Sequence, residues 1–430
     1  MAELTERTAA VRFGDGLLEI RLPEKGSSVV TPRRVAAAPD QGAVLRQALE
    51  SPVAGPRLRD IVRRGQTVAI AICDGTRPQP RKPMLEAILA ELDGIADPGD
   101  LVVLVATGTH RGNTDEELTA MLGADLLGSL EVVNHDGRQE ADLVWCGRHG
   151  AGVPVWLNRR WVDADVRVTT GFVEPHFFAG FSGGPKLVAP GLAGLETVLT
   201  LHDHRRIGDE RATWGVTLGN PVHDDVRAIA AATGVDFAFD VVLNGDQEVV
   251  GAFAGELFGM HAAARAAARS IAMAPVERLY DVVVTSNAGY PLDQNLYQAV
   301  KGMSAAAEVV KPGGLIVVAA ECRDGFPDHG SYRDLLRSGP SIEAVVAGLA
   351  GSGRTTPDQW QVQVQGRVQA KARVVMHTGY LSDEEVAEAH LEQTDDVERT
   401  VARGLAGAGP DAWLCVLPEG PQTVPFLTAG

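Results

Sequence analysis

Cysteine is scarce in this chain. The four present in 430 residues, Cys73, Cys146, Cys322 and Cys415, lie far apart, with no CxxC and no close Cys/His spacing. That excludes a disulfide framework and a cysteine-built zinc site, and predicts reduced, mostly buried thiols. Long apolar runs are missing too; none reaches the roughly 18 residues that span a bilayer. The opening segment, MAELTERTAAVRFGDG, has no basic flank followed by an apolar stretch. No secretory signal is therefore expected, and the cytoplasm is the expected compartment. Basic charge is in deficit, with 39 Lys and Arg against 56 Asp and Glu and a formal charge of −17. Such a field repels nucleic acid and anionic membranes, and no basic stripe offsets it. A small anionic substrate remains compatible where a few cations converge in one cleft.

What the chain does have is a series of Val/Ile/Leu runs ending in Gly, Asp, Thr or Asn: Thr67–Ile72, Leu101–Ala106, Val166–Thr170, Asp281–Thr285, Leu315–Ala320, Ala372–Met376 and Ala412–Leu417. Continuous rather than alternating apolar runs predict strands covered on both faces. Ala/Leu-rich stretches with helical spacing lie between them, at Lys82–Leu92, Asp225–Ala232, His261–Ala272 and Gln294–Val310. The alternation predicts an α/β protein with mostly parallel sheets flanked by helices. A boundary near Ala274–Arg278 divides it into an amino-terminal domain, 1–274, and a carboxyl-terminal domain, 275–430. The Gly/Ser/Thr/Pro stretch Gly348–Asp358 reads as a loop.

Chemistry in such folds gathers beyond the carboxyl ends of strands, and several of these runs end in reactive clusters. Asp74-Gly75-Thr76-Arg77-Pro78 follows the first run; Arg77 suits a bidentate carboxylate contact, although an Asp–Arg pair also closes turns. Ala106-Thr107-Gly108-Thr109-His110-Arg111 follows the second and places a His for general acid/base work. The densest stretch is Glu174 to Lys186, EPHFFAGFSGGPK, continuing to Pro190-Gly191. Its glycines and prolines suggest backbone shaped around a ligand. It is not a phosphate-binding P-loop, because Pro185 precedes Lys186 and Leu187 follows it. A Lys in a glycine-lined pocket is instead a candidate covalent attachment point. His202-Asp203-His204 could bind a metal, but no third protein ligand follows at a recognisable spacing. In the last loop, Asn287 to Gly302, Asp293 or Gln294 is expected to open a helix on which Gln298 and Lys301 share a face.

Together these loops resemble the lactate racemase family, whose members use a nickel-pincer nucleotide. The resemblance spans about Val68 to Lys311, more loosely to Trp360. It rests on the Asp74–Pro78 loop, the Gly108–Arg111 loop, the Glu174–Gly191 loop, His202 after Lys186, and Tyr297, Gln298 and Lys301. It implies a racemase or epimerase that inverts the α-carbon of a 2-hydroxy carboxylate by proton-coupled hydride transfer, lactate or a related acid being the substrate. The implied cofactor is pyridinium-3-thioamide-5-thiocarboxylic acid mononucleotide with nickel, joined covalently to Lys186, with His202 as the protein ligand to the metal. His110 and His176 match the acid/base pair. Arg77, Gln298 and Lys301 match carboxylate-binding residues, and Tyr297 and Trp360 match pocket residues. Asp74, Thr109, Gly183 and Gly184 fall on the cofactor side. The active site is then expected at the domain interface, with the cofactor's biosynthetic enzymes as transient partners. The resemblance leaves oligomeric state open, and no quoted residue selects lactate over larger hydroxy acids or sugar acids. A non-catalytic cofactor carrier is the main alternative. A nicotinamide-dependent dehydrogenase is a weaker one, because no GxGxxG directly follows a strand.

Overall fold

The computed structural model describes residues 4–328 and 330–428. It forms two compact units: one of Arg34–His202 with Arg211–Ile271, the other of Met1–Arg33, Asp203–Glu210 and Ala272–Gly430. The α/β class expected from the sequence is what the chain adopts, with mostly parallel sheets and flanking helices. The division differs from a single cut at 274, and the reason is packing. The hairpin of strands Leu4–Phe13 and Gly16–Pro23 contributes Val11, Ile20 and Leu22 to a core with Val282, Val284, Val317 and Val416. Strand Ser27–Val29 also pairs in parallel with Leu414–Leu417, so the first residues fold with the last.

In the first unit a six-stranded sheet runs in the order Val249–Gly255, Phe237–Leu243, Val166–Phe172, Val68–Cys73, Leu101–Ala106, Glu131–Asn134. Every neighbouring pair is parallel except the edge strand Val249–Gly255, which is antiparallel. All six residues of Val68–Cys73 are buried, as a strand covered on both faces requires. This central strand has its sequence successor on one side and Val166–Phe172 on the other. The chain therefore reverses its order there, the place where such sheets open a crevice at the strands' carboxyl ends. The three reactive loops leave these three adjacent strands.

The second unit holds a fully parallel sheet in the order Glu392–Gln393, Arg373–His377, Val310–Ala319, Tyr280–Ser286, Leu414–Leu417, Ser27–Val29. After Tyr280–Ser286 the chain enters helix Leu296–Ala307. Neither Asp293 nor Gln294 opens it; Asn295 does, its side chain accepting the Gln298 N–H at 3.0 Å. Asp293 is instead buried, its Oδ2 accepting the N–H groups of Gly14 and Glu321 at 2.8 and 3.0 Å. Helix Ile342–Gly351 takes the first residues of the stretch read as a loop, and Gln359–Lys371 forms a helix that was not read from the sequence. Among the described residues no helix is long and apolar enough to cross a membrane.

Candidate functional site

Asp74 directly follows the central strand and is almost wholly buried. Its Oδ2 lies 2.7 Å from Nδ1 of His110, and its Oδ1 accepts from the amide and hydroxyl of Thr76 at 2.8 and 2.5 Å. Burial opposes ionisation of Asp74, but the hydrogen bond and charge of His110, the Thr76 hydroxyl and Arg77 outweigh it and hold the carboxyl down at about 2. An ionised carboxylate only accepts, so His110 carries its proton on Nδ1 and presents the Nε2 lone pair. Half of the His110 side chain is open to solvent. Arg77 is exposed and forms no ion pair among the described residues.

A residue not singled out in the sequence holds this loop in place. Arg81 is buried and its guanidinium donates to the carbonyls of Cys73 (2.7 Å), Gln79 (3.1 Å) and Arg77 (2.6 Å), and to that of Asp74. No carboxylate side chain is among these acceptors. Burial accordingly lowers the pKa of Arg81. Its work is to gather four carbonyls of one turn, which fixes where Asp74 points.

The His110 loop is tied to the glycine-rich loop through backbone. The Gly108 N–H donates to the Gly191 carbonyl at 2.9 Å, and the Gly191 N–H to the Lys186 carbonyl at 3.0 Å. Thr109 contributes its carbonyl to Arg138 at 3.2 Å. In the glycine-rich loop, Gly183 and Gly184 both have positive φ, +71° and +51°, a conformation costly for any residue with a Cβ. A short 3-10 turn, Gly184–Leu187, follows and carries Lys186.

Phe178 is the centre of this region. Its ring lies edge-on to His176 (centroids 4.5 Å apart) and to His202 (5.3 Å), and the Lys186 Nζ sits over it at 5.6 Å. Three residues from positions 176–202 thus converge on one phenyl ring. Nδ1 of His176 accepts from the amides of Phe178 and Ala179 at 3.4 and 3.3 Å, which assigns its proton to Nε2. Nδ1 of His202 is 2.7 Å from the Val198 carbonyl, so its proton is on Nδ1 and its lone pair on Nε2. Burial first, and the Lys186 charge second, push His202 down to about 4 despite the carbonyl contact, so the imidazole is neutral at physiological pH. His204 does not join it as a second ligand: Gln363 donates to its Nδ1 at 2.7 Å, within the other unit.

The second unit gathers the remaining residues. Lys301 donates to Oε1 of Gln298 at 2.7 Å, one turn apart on helix Leu296–Ala307. Trp360 donates from its indole nitrogen to the Tyr297 hydroxyl at 3.0 Å, and the neighbouring Gln361 side chain donates to the Tyr297 carbonyl. Gln359, Gln361, Gln363 and Gln365 are all buried, on two sides of the helix, and these buried polar residues explain why the helix escaped a hydrophobic-pattern reading. Gln365 accepts from the Tyr332 hydroxyl at 2.5 Å, and the Tyr332 ring packs edge-on to that of Tyr297 at 5.3 Å.

The α/β scaffold thus carries a carboxylate-oriented His, a second His, and a Lys and neutral His sharing one aromatic ring, and the chain's relatives name the class. Residues 13–215 match the family model described as the lactate racemase N-terminal domain, and 276–424 the lactate racemase C-terminal domain. The chain belongs to the lactate racemase family, a family of isomerases. It is 34% identical over 383 residues to the lactate racemase of Thermoanaerobacterium thermosaccharolyticum, covering 89% of each chain. It is 31% identical over 377 residues to that of Lactiplantibacillus plantarum, covering 87% of this chain and 89% of the relative. The fold matches the structure of the lactate racemase apoprotein from T. thermosaccharolyticum with a TM-score of 0.91 at 31% identity, over 97% of this chain and 100% of the other. A Thermotoga maritima protein at 18% identity shares the fold, with a TM-score of 0.65.

Proposed function

We propose that this chain racemises or epimerises a 2-hydroxy carboxylate, lactate or a close relative, using a nickel-pincer nucleotide carried on Lys186 and ligated by His202. The observation that carries the reading is the convergence of His176, Lys186 and His202 on Phe178, in the same unit as the Asp74–His110 pair. The donor set suits such a cofactor. A neutral imidazole with its lone pair on Nε2 is a ligand for a divalent transition metal. Among the described residues no three His, Cys, Asp or Glu side chains group as a metal site, so nickel here would need its other ligands from the cofactor. Lys186 stands beside the imidazole on a glycine-lined turn.

When bound, the cofactor supplies an acceptor for the hydride leaving the substrate carbon. This chemistry suits a 2-hydroxy carboxylate, whose α-proton is weakly acidic next to an anionic group. The remaining work falls to the side chains. Nε2 of His110 takes the hydroxyl proton of one enantiomer, and the Asp74 carboxylate stabilises the imidazolium that forms. His176 serves the enantiomer whose hydroxyl points the other way. Arg77, Lys301 and Gln298 bind the carboxylate and act as the pivot about which the planar oxo acid turns. Tyr297, held by Trp360 and Gln361, forms pocket wall.

The test is intact-protein mass and nickel content after production with the cofactor's biosynthetic enzymes, followed by assay against single-enantiomer 2-hydroxy acids. A mass increment at Lys186, nickel in the protein and racemisation of at least one acid are expected. An unmodified, nickel-free chain under conditions that load a relative would overturn the proposal.

A further inference from the structure

Two buried ionisable residues in the first unit take no part in this mechanism. Asp240 lies in the middle of the apolar strand Phe237–Leu243 with no exposure at all, and His261 lies in the first turns of helix Leu257–Ala272 with 3%. Burying a carboxyl or an imidazole is costly and calls for a specific partner. Both find it in the same three-residue stretch of backbone. Oδ2 of Asp240 accepts the Gly184 N–H at 2.6 Å, and Nε2 of His261 donates to the Ser182 carbonyl at 2.8 Å. The contacts are also steric. A Cβ on Gly183 would stand 2.7 Å from Oδ2 of Asp240, and one on Gly184 would stand 2.6 Å from Cγ of His261. Lys186 then closes back on this stretch, its N–H donating to the Gly183 carbonyl at 3.2 Å.

We infer that Asp240 and His261 are positioning residues that grip the Ser182–Gly184 backbone between strand and helix and thereby aim Lys186. The inference rests on Lys186 being the cofactor's attachment point. Ser182 is anchored by its own hydroxyl, which accepts the Glu174 N–H at 2.9 Å and donates to the Phe172 carbonyl at 3.0 Å, but the two positive-φ glycines that follow have no side chains, so their direction is set by what bonds them from outside. Asp240 bonds a donor of that stretch and His261 an acceptor, so the two contacts together fix the peptide planes from which the lysine projects. Neither residue touches substrate, and their effect is on where the amine stands.

The experiment compares wild type with D240A, D240N and H261F in two readouts. The first is covalent loading of Lys186, by intact mass and peptide mapping, after production with the cofactor's biosynthetic enzymes. The second is the reactivity of Lys186 in cofactor-free protein toward pulsed acetic anhydride, relative to the other lysines of the same sample. D240A and H261F should load at least about tenfold less than wild type, the size expected for removing an outer partner of a site, and Lys186 labelling should change while other lysines keep theirs. D240N retains an acceptor for Gly184 and should restore most of both, which a general loss of packing would not predict. Folded D240A and H261F with wild-type loading and wild-type labelling overturn the inference. If wild type itself never loads, the proposed function fails, and the labelling comparison still decides whether Asp240 and His261 aim the lysine. If D240A does not fold, H261F and D240N decide by the same readouts.

Discussion

Oδ2 of Asp74 and Nδ1 of His110 lie 2.7 Å apart, with the carboxylate buried and the imidazole half exposed. The carboxylate cannot titrate near neutrality, because its pKa is held at about 2, so it fixes the His110 tautomer across the working range. Replacing Asp74 with Asn keeps the shape, but the carboxamide can present N–H to Nδ1 and favour the wrong tautomer. D74N should lower kcat by roughly 10²–10⁴, the range typical of losing a general base, while Lys186 loads normally. Unchanged turnover would remove Asp74 from the proton path.

Phe178 gives a second expectation. F178L keeps bulk but loses the ring that His176, His202 and Lys186 share. The protein should fold, and its nickel affinity should fall about tenfold, as for loss of an outer support of a metal ligand. Metal content after dialysis against graded chelator measures this, and wild-type retention would show the ring to be filler.

Arg81 should behave as a structural pin. R81M leaves four carbonyls of the turn without their donor. Each buried group left unmatched costs about 1–3 kcal/mol, so denaturant unfolding should show a loss of at least about 2 kcal/mol. An unchanged midpoint would mean the carbonyls find other donors.

Lys301 is expected to act in binding. K301A removes a charge-assisted contact to the substrate carboxylate, typically worth about 1.5–3 kcal/mol. KM for the hydroxy acid should rise about 10- to 100-fold, with nickel content unchanged. A fall in kcat alone would move Lys301 from carboxylate binding to a later step.

Stability should depend on pH through buried groups that oppose one another. Burial, Arg265 and other nearby cations push His261 down to about 3, against the Ser182 carbonyl. Burial, Arg265, Arg227 and Lys186 push His223 down to about 4. Between these values and 6.5 the unfolded chain binds protons that the folded chain refuses, so stability falls as the pH drops below 6.5. Asp240 acts the other way. Burial raises it to about 7 against the N–H groups of Gly184 and Gly171, so its contribution is lost as pH rises from 3.8 toward 7. D240N removes the opposing slope, and its stability should climb more steeply than that of wild type from pH 5 to 6.5. Equal slopes in denaturant titrations would contradict this assignment.

The sequence revealed most of the sheet framework because strands buried on both faces write themselves as unbroken apolar runs; Leu101–Ala106 begins and ends where its pattern does. His110 and Lys186 could be proposed because each follows such a run or lies in a glycine cluster, and the family resemblance joined His202 to them. Phe178 was not legible as a hub, since a Phe beside another Phe reads as core. Arg81 was not singled out, because no local pattern reports four carbonyls turned toward one guanidinium. The glutamine helix was hidden for the opposite reason: Gln-Trp-Gln-Val-Gln-Val alternates like a strand, and its burial depends on partners such as Tyr297, Tyr332 and His204 that lie far along the chain. The packing of the first residues with the last was equally beyond a local reading, because Ser27–Val29 is too short to announce its parallel neighbour.

The two histidines of the proposed acid/base pair rest in opposite tautomers, His110 with Nε2 bare and His176 with Nε2 protonated. Mirror-image substrates have equal free energy, so the two directions of a racemisation share one value of kcat/KM whatever the protein does. A resting enzyme that offers a base on one side and an acid on the other is nonetheless lopsided. That asymmetry is free to enter kcat and KM separately, provided any factor that raises one for a given enantiomer raises the other equally.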